Sequence, residues 1–167
     1  KVGDPAHWST DVGPVIDKAA QENLQAHIEK MQGAGHALLA QTALPSSIPE
    51  GFYIAPSAFA INSISELAEE QFGPILHIVR FNAKALDTVI RDINATGYGL
   101  TLGIHSRNAS FAEYLAKHLA VGNVYINRDQ IGAMVGVQPF GGQGLSGTGP
   151  KAGGPLHLTR FVTEKTI

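Results

Sequence analysis

The residues best suited to chemistry lie in one glycine-rich stretch, residues 135–154, which reads VGVQPFGGQGLSGTGPKAGG. It holds eight of the 19 glycines of the chain. Because glycine weakens a helix or strand by about 0.5–1 kcal/mol relative to alanine, this concentration predicts a loop. Small residues also leave backbone N–H groups accessible, and successive N–H groups can form a concave anion site. With the Ser146 hydroxyl and the Lys151 ammonium nearby, we expect the loop to bind a carboxylate or another anionic group; a mobile surface loop is the alternative.

The same glycines allow a second interpretation. Gly142, Gly144 and Gly147 spell G-x-G-x-x-G, and Glu164 follows near the position of the ribose-binding acid of dinucleotide sites. That fingerprint requires a helix to start on the glycines. Residues 148–155 contain two prolines and three glycines, which disfavours a helix there. Residues 158–167 are predicted to form a strand, so the dinucleotide interpretation is disfavoured.

A pair of acidic residues, Glu69 and Glu70, precedes Phe72 and a Gly-Pro turn. A carboxylate at the mouth of a strand can accept hydrogen bonds from both hydroxyls of a ribose, with an aromatic ring packed beside it. Ligands of parallel α/β sheets bind in loops at such strand ends. The alternative is a solvated acidic helix end followed by a turn.

The sequence gives weaker evidence for a serine nucleophile, a metal site or a cysteine-based site. Ser146 as a nucleophile would need G-x-S-x-G, but the fifth position is Thr148. The histidines show no metal-ligand spacing on one helix, so no metal site is expected; they are His7, His27, His36, His77, His105, His118 and His157. The chain has no cysteine, which excludes disulfides, thiolate zinc sites and a cysteine nucleophile within it.

Composition narrows the class of protein. The chain has 167 residues, of which 44% are hydrophobic and 16% charged, and a net charge of −2. These values predict a folded domain and give no electrostatic reason for binding nucleic acid or an anionic membrane. No apolar run approaches the roughly 18 residues of a membrane span, and the first residues lack the pattern of a signal peptide.

Helices and strands are predicted to alternate along the chain. Apolar residues recur every three or four positions in three predicted helices: from Asp11 or Gly13 to about residue 32, 83–94 and 109–119. A helical turn is expected at 63–70. Predicted strands are 36–41, 52–61 with a break at Pro56, 75–81, 100–105, 121–127 and 158–167. This order predicts an α/β fold with one core, in which parallel strands are joined by crossover helices.

Several segments resemble landmarks of the aldehyde dehydrogenase superfamily, in the same order. They are KVGDP, FYIAP, EEQFGPIL, GYGLTLGIHSRN, VGNVYIN and QPFGGQGLSGTG. The resemblance covers essentially the whole chain and corresponds to the C-terminal part of the catalytic domain. NRDQIGAMVGVQPFGG, GLSGTGPKAGGP and RFVTEKT are most similar to the L-glutamate-γ-semialdehyde (Δ1-pyrroline-5-carboxylate) dehydrogenases. Within these, the chain resembles the dehydrogenase module of the bacterial bifunctional proline utilization A enzymes.

The resemblance implies an NAD-dependent oxidation of L-glutamate γ-semialdehyde to glutamate in proline catabolism. It implies the parallel-sheet portion of the catalytic domain, with a C-terminal strand, 158–167, directed toward the oligomerisation flap. Carried over by position, Glu70 would hold the nicotinamide ribose and Phe72 would pack at the nicotinamide end. Residues 135–154 would be the loop that anchors the aldehyde substrate. Its substrate-binding residues would be Phe140, lining the channel, and Gly144, Leu145, Ser146 and Gly147, receiving the α-carboxylate through the Ser146 hydroxyl and the N–H groups of Ser146 and Gly147.

The departures from the family pattern are equally specific. The cysteine nucleophile, the general-base glutamate and the Rossmann unit of the family lie upstream of the matched segment, so no catalytic residue is assigned here. We therefore expect a fragment of a longer enzyme, inactive alone, whose partners are the upstream remainder of the polypeptide and, through the C-terminal strand, a second copy. FAD is expected only if the longer enzyme carries a proline dehydrogenase domain. A cytoplasmic location is expected, with attachment to the inner-membrane surface as an alternative.

Two other functions remain open at this point. The chain could belong to a non-catalytic aldehyde dehydrogenase-like module kept for oligomerisation and stability. The intact EQFGP segment and anchor loop argue against it, and an upstream cysteine at the nucleophile position would exclude it. A free-standing anion-binding protein would instead require the isolated chain to bind glutamate.

Overall fold

The computed structural model describes residues 1–131 and 133–167. Helices and strands alternate, and the strand pairs are both parallel and antiparallel. The α/β prediction is therefore confirmed. The chain divides into two compact units, Lys1–Arg80 and Phe81–Ile167, and each is described by itself. The single partial domain inferred from the sequence stays a prediction.

The first helix, α1, spans Lys18–Gly33. It begins where the Asp17 carboxylate accepts a hydrogen bond from the Ala20 N–H at 2.8 Å, a side-chain cap that satisfies a free donor of the first turn. The predicted start near Asp11 or Gly13 is thus several residues too early, because the Asp17 cap sets the boundary. Leu24, Ile28 and Met31 are buried, which confirms the predicted apolar face.

The first unit has a three-stranded sheet with the order β1-β2-β3. Its strands are β1, Ala37–Gln41, β2, Ser57–Ile61, and β3, Ile75–Val79. β2 and β3 are parallel, whereas β1 is antiparallel to β2. The expectation of parallel strands alone is wrong for β1, since no helix separates it from β2 and an antiparallel return needs no crossover.

The core of this unit lies between α1 and the sheet. Phe59, at the centre of the middle strand, is completely buried. It packs in one cluster with Leu24, Ile28, Met31, Ile54 and Ile61. Packing in this cluster fixes α1 against the sheet. It thereby also fixes the position of the segment that follows β2.

The second unit contains the predicted crossover. Strand β4 is Tyr98–Gly99, β5 is Thr101–Ile104 and β6 is Asn123–Ile126. β5 and β6 are parallel and are joined by a helix, Ala109–His118. An earlier helix covers Leu86–Ala95 and follows a 3-10 turn at Ala83–Ala85. In chain order, Leu86–Ala95 is α2 and Ala109–His118 is α3. The sequence predicted both helices to within a few residues.

The C-terminal segment corrects a prediction. Residues 158–167 were expected to form a strand, but His157–Phe161 forms a 3-10 turn and 162–167 has no regular secondary structure. The β-branched and aromatic residues there have strand propensity, but a strand needs a neighbour to pair its backbone groups. All side chains of 162–167 are exposed, so the propensity finds no such partner.

Among the described residues, no helix is both long and apolar enough to cross a membrane.

Candidate functional site

The glycine-rich loop is held by one strand pairing with the rest of the second unit and by one pairing within the loop itself. Strand β7, Gln143–Gly144, pairs antiparallel with β4. Nearer its start, Phe140 exchanges two backbone hydrogen bonds of 3.0 Å with Ala152, which closes the loop on itself. Phe140 is half-buried. These attachments disfavour the interpretation as a mobile loop. A turn rather than a helix follows Gly144, the glycine of β7, which removes the structural basis of the dinucleotide interpretation.

Glycine is required at the tip of the loop for two reasons. Gly144 has a φ of +59°, a left-handed conformation that residues with a Cβ rarely adopt, and a Cβ there would overlap the carbonyl oxygen of Gly97. On the opposite side of the turn, a Cβ on Gly147 would lie only 2.6 Å from the carbonyl oxygen of Gly142. The close packing of these backbones sets the shape of the turn.

The backbone donors of the turn are already engaged, which corrects the expectation of bare N–H groups. The Leu145 N–H donates to the Gly97 carbonyl at 2.9 Å, and the Ser146 N–H donates to the Gln143 carbonyl at 3.0 Å. The Gly147 N–H reaches the Gly144 carbonyl at 3.4 Å, beyond the usual 2.7–3.2 Å range of N–H···O bonds. A compact turn satisfies its own donors in this way. Of these three N–H groups, that of Gly147 is the most weakly held.

The Ser146 hydroxyl is placed differently. Its Oγ accepts a hydrogen bond from the Gly99 N–H at 3.0 Å, and the residue is half-buried. A hydroxyl that acts as an acceptor keeps its own proton for donation. The structure thus holds Ser146 Oγ in place while leaving one O–H donor for an outside acceptor. The neighbouring Leu145 side chain is 70% exposed.

Lys151 does not supply a free positive charge to the loop. Its Nζ donates to the carbonyl of Gly122 and to Oδ1 of Asn123 at 3.3 Å. The lysine therefore binds the edge of β6. The prediction that Lys151 attracts an anion is not supported by this geometry, because its ammonium is directed at backbone and amide oxygens.

Glu70 and Phe72 lie in the first unit, in a groove of about 510 Å³ between α1 and the segment before β3. A capped 3-10 turn at Ile64–Glu66 begins that segment, so the predicted helical turn at 63–70 is confirmed only in part. Glu70 is exposed, and Phe72 is 79% exposed. Among the described residues, no hydrogen bond or ion pair engages the Glu70 carboxylate, which leaves both of its oxygens able to accept hydroxyl groups.

Sequence reasoning missed a pair of histidines beside this groove. Nε2 of His27, on α1, lies 2.8 Å from Nε2 of His77, on β3. Removal from water lowers the pKa of both rings, and the positive charge of Lys30 adds to the effect at His27. His36 forms a 3.0 Å ion-pair contact with Glu66 close by. The two rings lie 50 positions apart in the sequence, so no local spacing could reveal the pair.

The described residues contain no group of three or more histidine, cysteine or acidic side chains arranged to hold a metal ion.

The candidate site consists of two separate parts, each within its own unit. One is the Ser146 turn, which presents a hydroxyl donor. The other is the groove with the Glu70 carboxylate and the Phe72 ring. The roles assigned to these residues from the sequence stay predictions.

Comparison with known proteins identifies relatives over the whole chain. Residues 1–167 match the aldehyde dehydrogenase family. The bifunctional protein PutA of Rhizobium meliloti is 49% identical over 163 residues, which are 98% of this chain and 13% of that protein. The 1-pyrroline-5-carboxylate dehydrogenase of Geobacillus sp. (strain WCH70) is 40% identical over 169 residues, which cover 100% of this chain and 32% of that protein.

Solved structures agree with the sequence relatives. A crystal structure of proline utilization A from Bradyrhizobium japonicum superposes with a TM-score of 0.92 at 51% identity, over 100% of this chain and 17% of that one. An aldehyde dehydrogenase from Bacillus cereus gives a TM-score of 0.76 at 28% identity, over 92% of this chain and 30% of that one. The chain spans between an eighth and a third of the length of the curated relatives it matches.

Proposed function

Because the chain belongs to the aldehyde dehydrogenase family, we propose that it is the C-terminal part of the catalytic domain of an NAD-dependent enzyme that oxidises L-glutamate γ-semialdehyde to glutamate in proline catabolism. The relatives named for PutA and for 1-pyrroline-5-carboxylate dehydrogenase support this substrate. The chain has no cysteine. In this proposal the thiol nucleophile and the general base belong to the rest of the longer enzyme, and the isolated chain is inactive.

The observation that carries the proposal is the fixed Ser146 hydroxyl. Its oxygen is held by the Gly99 N–H at 3.0 Å, at the tip of a turn in which the N–H groups of Leu145 and Ser146 are already hydrogen-bonded within the unit. A hydroxyl fixed in this way donates to an anionic acceptor without first losing rotational freedom. The α-carboxylate of the substrate would accept from the Ser146 O–H and from the Gly147 N–H, which gives up its 3.4 Å contact at little cost. Phe140 would line the aldehyde channel.

The groove that contains Glu70 and Phe72 supports the proposed binding of the nicotinamide end of the cofactor. The Glu70 carboxylate would accept hydrogen bonds from the two hydroxyls of the nicotinamide ribose, since both of its oxygens are accessible. The exposed Phe72 ring would pack against the nicotinamide end. When bound, NAD⁺ supplies hydride acceptance; the residues of this chain bind and orient it. FAD would be present only in a longer enzyme that also carries a proline dehydrogenase domain.

The carboxylate role is tested by Ser146→Ala in the longer enzyme that carries this chain. A hydrogen bond to a charged group contributes about 1.5–3 kcal/mol, so kcat/KM for glutamate semialdehyde should fall roughly 10- to 150-fold. The value for pentanal, which lacks the carboxylate, should change little. Ser106→Ala is the matched control, because Ser106 Oγ also accepts a backbone N–H, from Asn108 at 3.1 Å, outside the loop.

In the same assay, Glu70→Gln should raise KM for NAD⁺ while KM for the aldehyde stays unchanged. The adjacent Glu69→Gln is the control, since Glu69 lines the same groove. Equal losses with glutamate semialdehyde and pentanal in Ser146→Ala would contradict the carboxylate role. Equal KM shifts in the two glutamate variants would contradict the ribose role.

The proposal extends to partners and location. Large apolar side chains are exposed in the loop and on both sides of it, among them Ile131, Val135, Leu158 and Phe161, and such surfaces mark contacts with other protein. We assign them to the rest of the polypeptide and to a second copy of it, in the cytoplasm. A longer enzyme that sediments as a single copy at micromolar concentration would contradict the second contact.

A further inference from the structure

One buried amide ties together the two arms of the anchor loop. Asn123 lies on β6 and is only 9% exposed. Its Nδ2 donates to the Pro139 carbonyl at 3.0 Å, and its Oδ1 accepts from the Gly141 N–H at 3.2 Å. The same Oδ1 accepts from Nζ of Lys151 at 3.3 Å. Pro139 and Gly141 precede the turn and Lys151 follows it, so a single side chain on the sheet holds both ends.

The contact of Asn123 with Gly141 also affects the position of the loop tip, because the backbones that connect them are closely packed. Gly142, the next residue, is buried and so close to Ser146 that a Cβ on it would overlap the Ser146 backbone. Gly147 packs equally closely against Gly142 from the other side. A shift of Gly141 therefore moves Gly142 and the residues that contact it, because close-packed backbones cannot absorb the displacement.

We propose that Asn123 is a positioning residue that sets the place of the Ser146 hydroxyl, and thereby the preference of the enzyme for aldehydes that carry an anionic group. This inference rests on the carboxylate role proposed for Ser146. Asn123 touches neither substrate nor cofactor in this assignment; it acts through Gly141 and the turn.

The contacts explain why asparagine is needed. The site requires one donor, for the Pro139 carbonyl, and one acceptor with two lone pairs, for the Gly141 N–H and the Lys151 ammonium. An amide side chain supplies both. Aspartate keeps the acceptor but loses the donor and places a negative charge against the Pro139 carbonyl. Alanine loses all of these contacts.

The test uses Asn123→Ala in the longer enzyme and measures kcat and KM for glutamate semialdehyde and for pentanal, together with Tm. Misplacement of a binding group by about 1 Å can cost about 100-fold, so we expect kcat/KM for glutamate semialdehyde to fall roughly 10- to 100-fold, mainly through KM. The pentanal values should stay within about twofold of the parent enzyme. Asn123→Asp should show the same selective loss.

Asn94→Ala is the matched control. Asn94 also bridges two backbone groups of the second unit, donating to the His118 carbonyl at 2.8 Å and accepting from the Ala120 N–H at 2.9 Å. Among the described residues, no hydrogen bond joins the Asn94 side chain to the loop, so its variant should not alter the preference between the two aldehydes. Where Asn123→Ala fails to fold, Lys151→Met tests the same attachment from the other arm and should give a smaller shift in the same direction.

The outcomes separate the two proposals. A parallel loss with both aldehydes in the Asn123 variants, or a selective loss in Asn94→Ala, would overturn the positioning role. If Ser146→Ala is selective and Asn123→Ala is not, this inference fails and the carboxylate role stands. If Ser146→Ala is itself unselective, the carboxylate role fails and the inference falls with it.

Discussion

The substitution Gly144→Ala tests the packing of the anchor loop most directly. Gly144 has a φ of +59° and pairs with Tyr98 in the short β4–β7 ladder. A methyl group at this position would overlap the carbonyl oxygen of Gly97. That carbonyl accepts the 2.9 Å hydrogen bond from the Leu145 N–H, so it cannot move away without weakening the bond. The substitution thus introduces two separate costs.

The cost of the left-handed backbone conformation and the cost of the lost hydrogen bond can be estimated separately, and two control substitutions measure the first of them alone. The left-handed conformation costs a residue with a Cβ roughly 1–2 kcal/mol. Loss of the bond to Gly97 adds roughly 0.5–1.5 kcal/mol, for a total of about 1.5–3.5 kcal/mol. Gly136 and Gly153 also have positive φ, of 78° and 71°, but nothing lies within 4 Å of an added Cβ at either. Gly136→Ala and Gly153→Ala should therefore show only the first cost, about 1–2 kcal/mol.

The assay is urea unfolding of the chain and its three variants, followed by far-UV circular dichroism and fitted for the free energy of unfolding. We expect Gly144→Ala to be less stable than either control by about 1 kcal/mol. In the longer enzyme, Gly144→Ala should also raise KM for glutamate semialdehyde, because it displaces the turn that holds Ser146. A Gly144→Ala chain as stable as Gly136→Ala and Gly153→Ala would refute the close approach of Gly144 to Gly97.

Two further predictions concern the first unit. Phe59→Ala should reduce the free energy of unfolding by about 3–5 kcal/mol, and Phe59→Leu by much less, since Phe59 is completely buried; a loss below about 1 kcal/mol in urea unfolding would contradict its place in the core. Burial lowers the pKa of His27 and His77 below their ordinary 6.5, so below pH 6.5 the unfolded chain binds more protons than the folded chain. The contribution of this pair to the free energy of unfolding should thus be fully present above pH 6.5 and fall as the pH decreases toward the folded-state pKa values. Lys30 adds to the effect at His27 and His36 adds to it at His77, whereas Glu69 opposes it at His27. His77→Gln should flatten this decrease, whereas an unchanged slope would show that the pair does not cause it.

The elements that the sequence predicted best are those with a local signal. The crossover from β5 through α3 to β6 follows from an apolar helix face at every third or fourth residue between two β-rich runs. The apolar face of α1 was predicted for the same reason. Its start was not, because the decisive contact is the Asp17 cap, and the sequence favoured Asp11 or Gly13 as the cap instead.

The features that the sequence did not predict depend on contacts between distant residues. The antiparallel direction of β1, the two-residue ladder of β4 and β7, and the approach of His27 to His77 all involve partners that no periodicity links. The C-terminal segment shows the converse. Its residues have strand propensity, yet propensity alone does not form a strand where no neighbouring backbone is available.

The physical reason for which the sequence singled out the anchor loop is incomplete. Glycine content predicted bare N–H groups, but those of Leu145 and Ser146 bond within the unit. For the proposed recognition of a carboxylate, this arrangement has an advantage over bare donors. A loop with unsatisfied amides must be ordered when it binds, and that ordering opposes binding. A turn that satisfies itself is ordered beforehand, and it needs only one fixed hydroxyl and one weakly held N–H to receive a carboxylate. On this reasoning the glycines act by allowing backbones to pack closely, as at Gly142 and Gly147, and Asn123 connects that packed turn to the sheet. Loss of carboxylate preference in both Ser146 and Asn123 variants, with pentanal oxidation retained, is the result that this account requires.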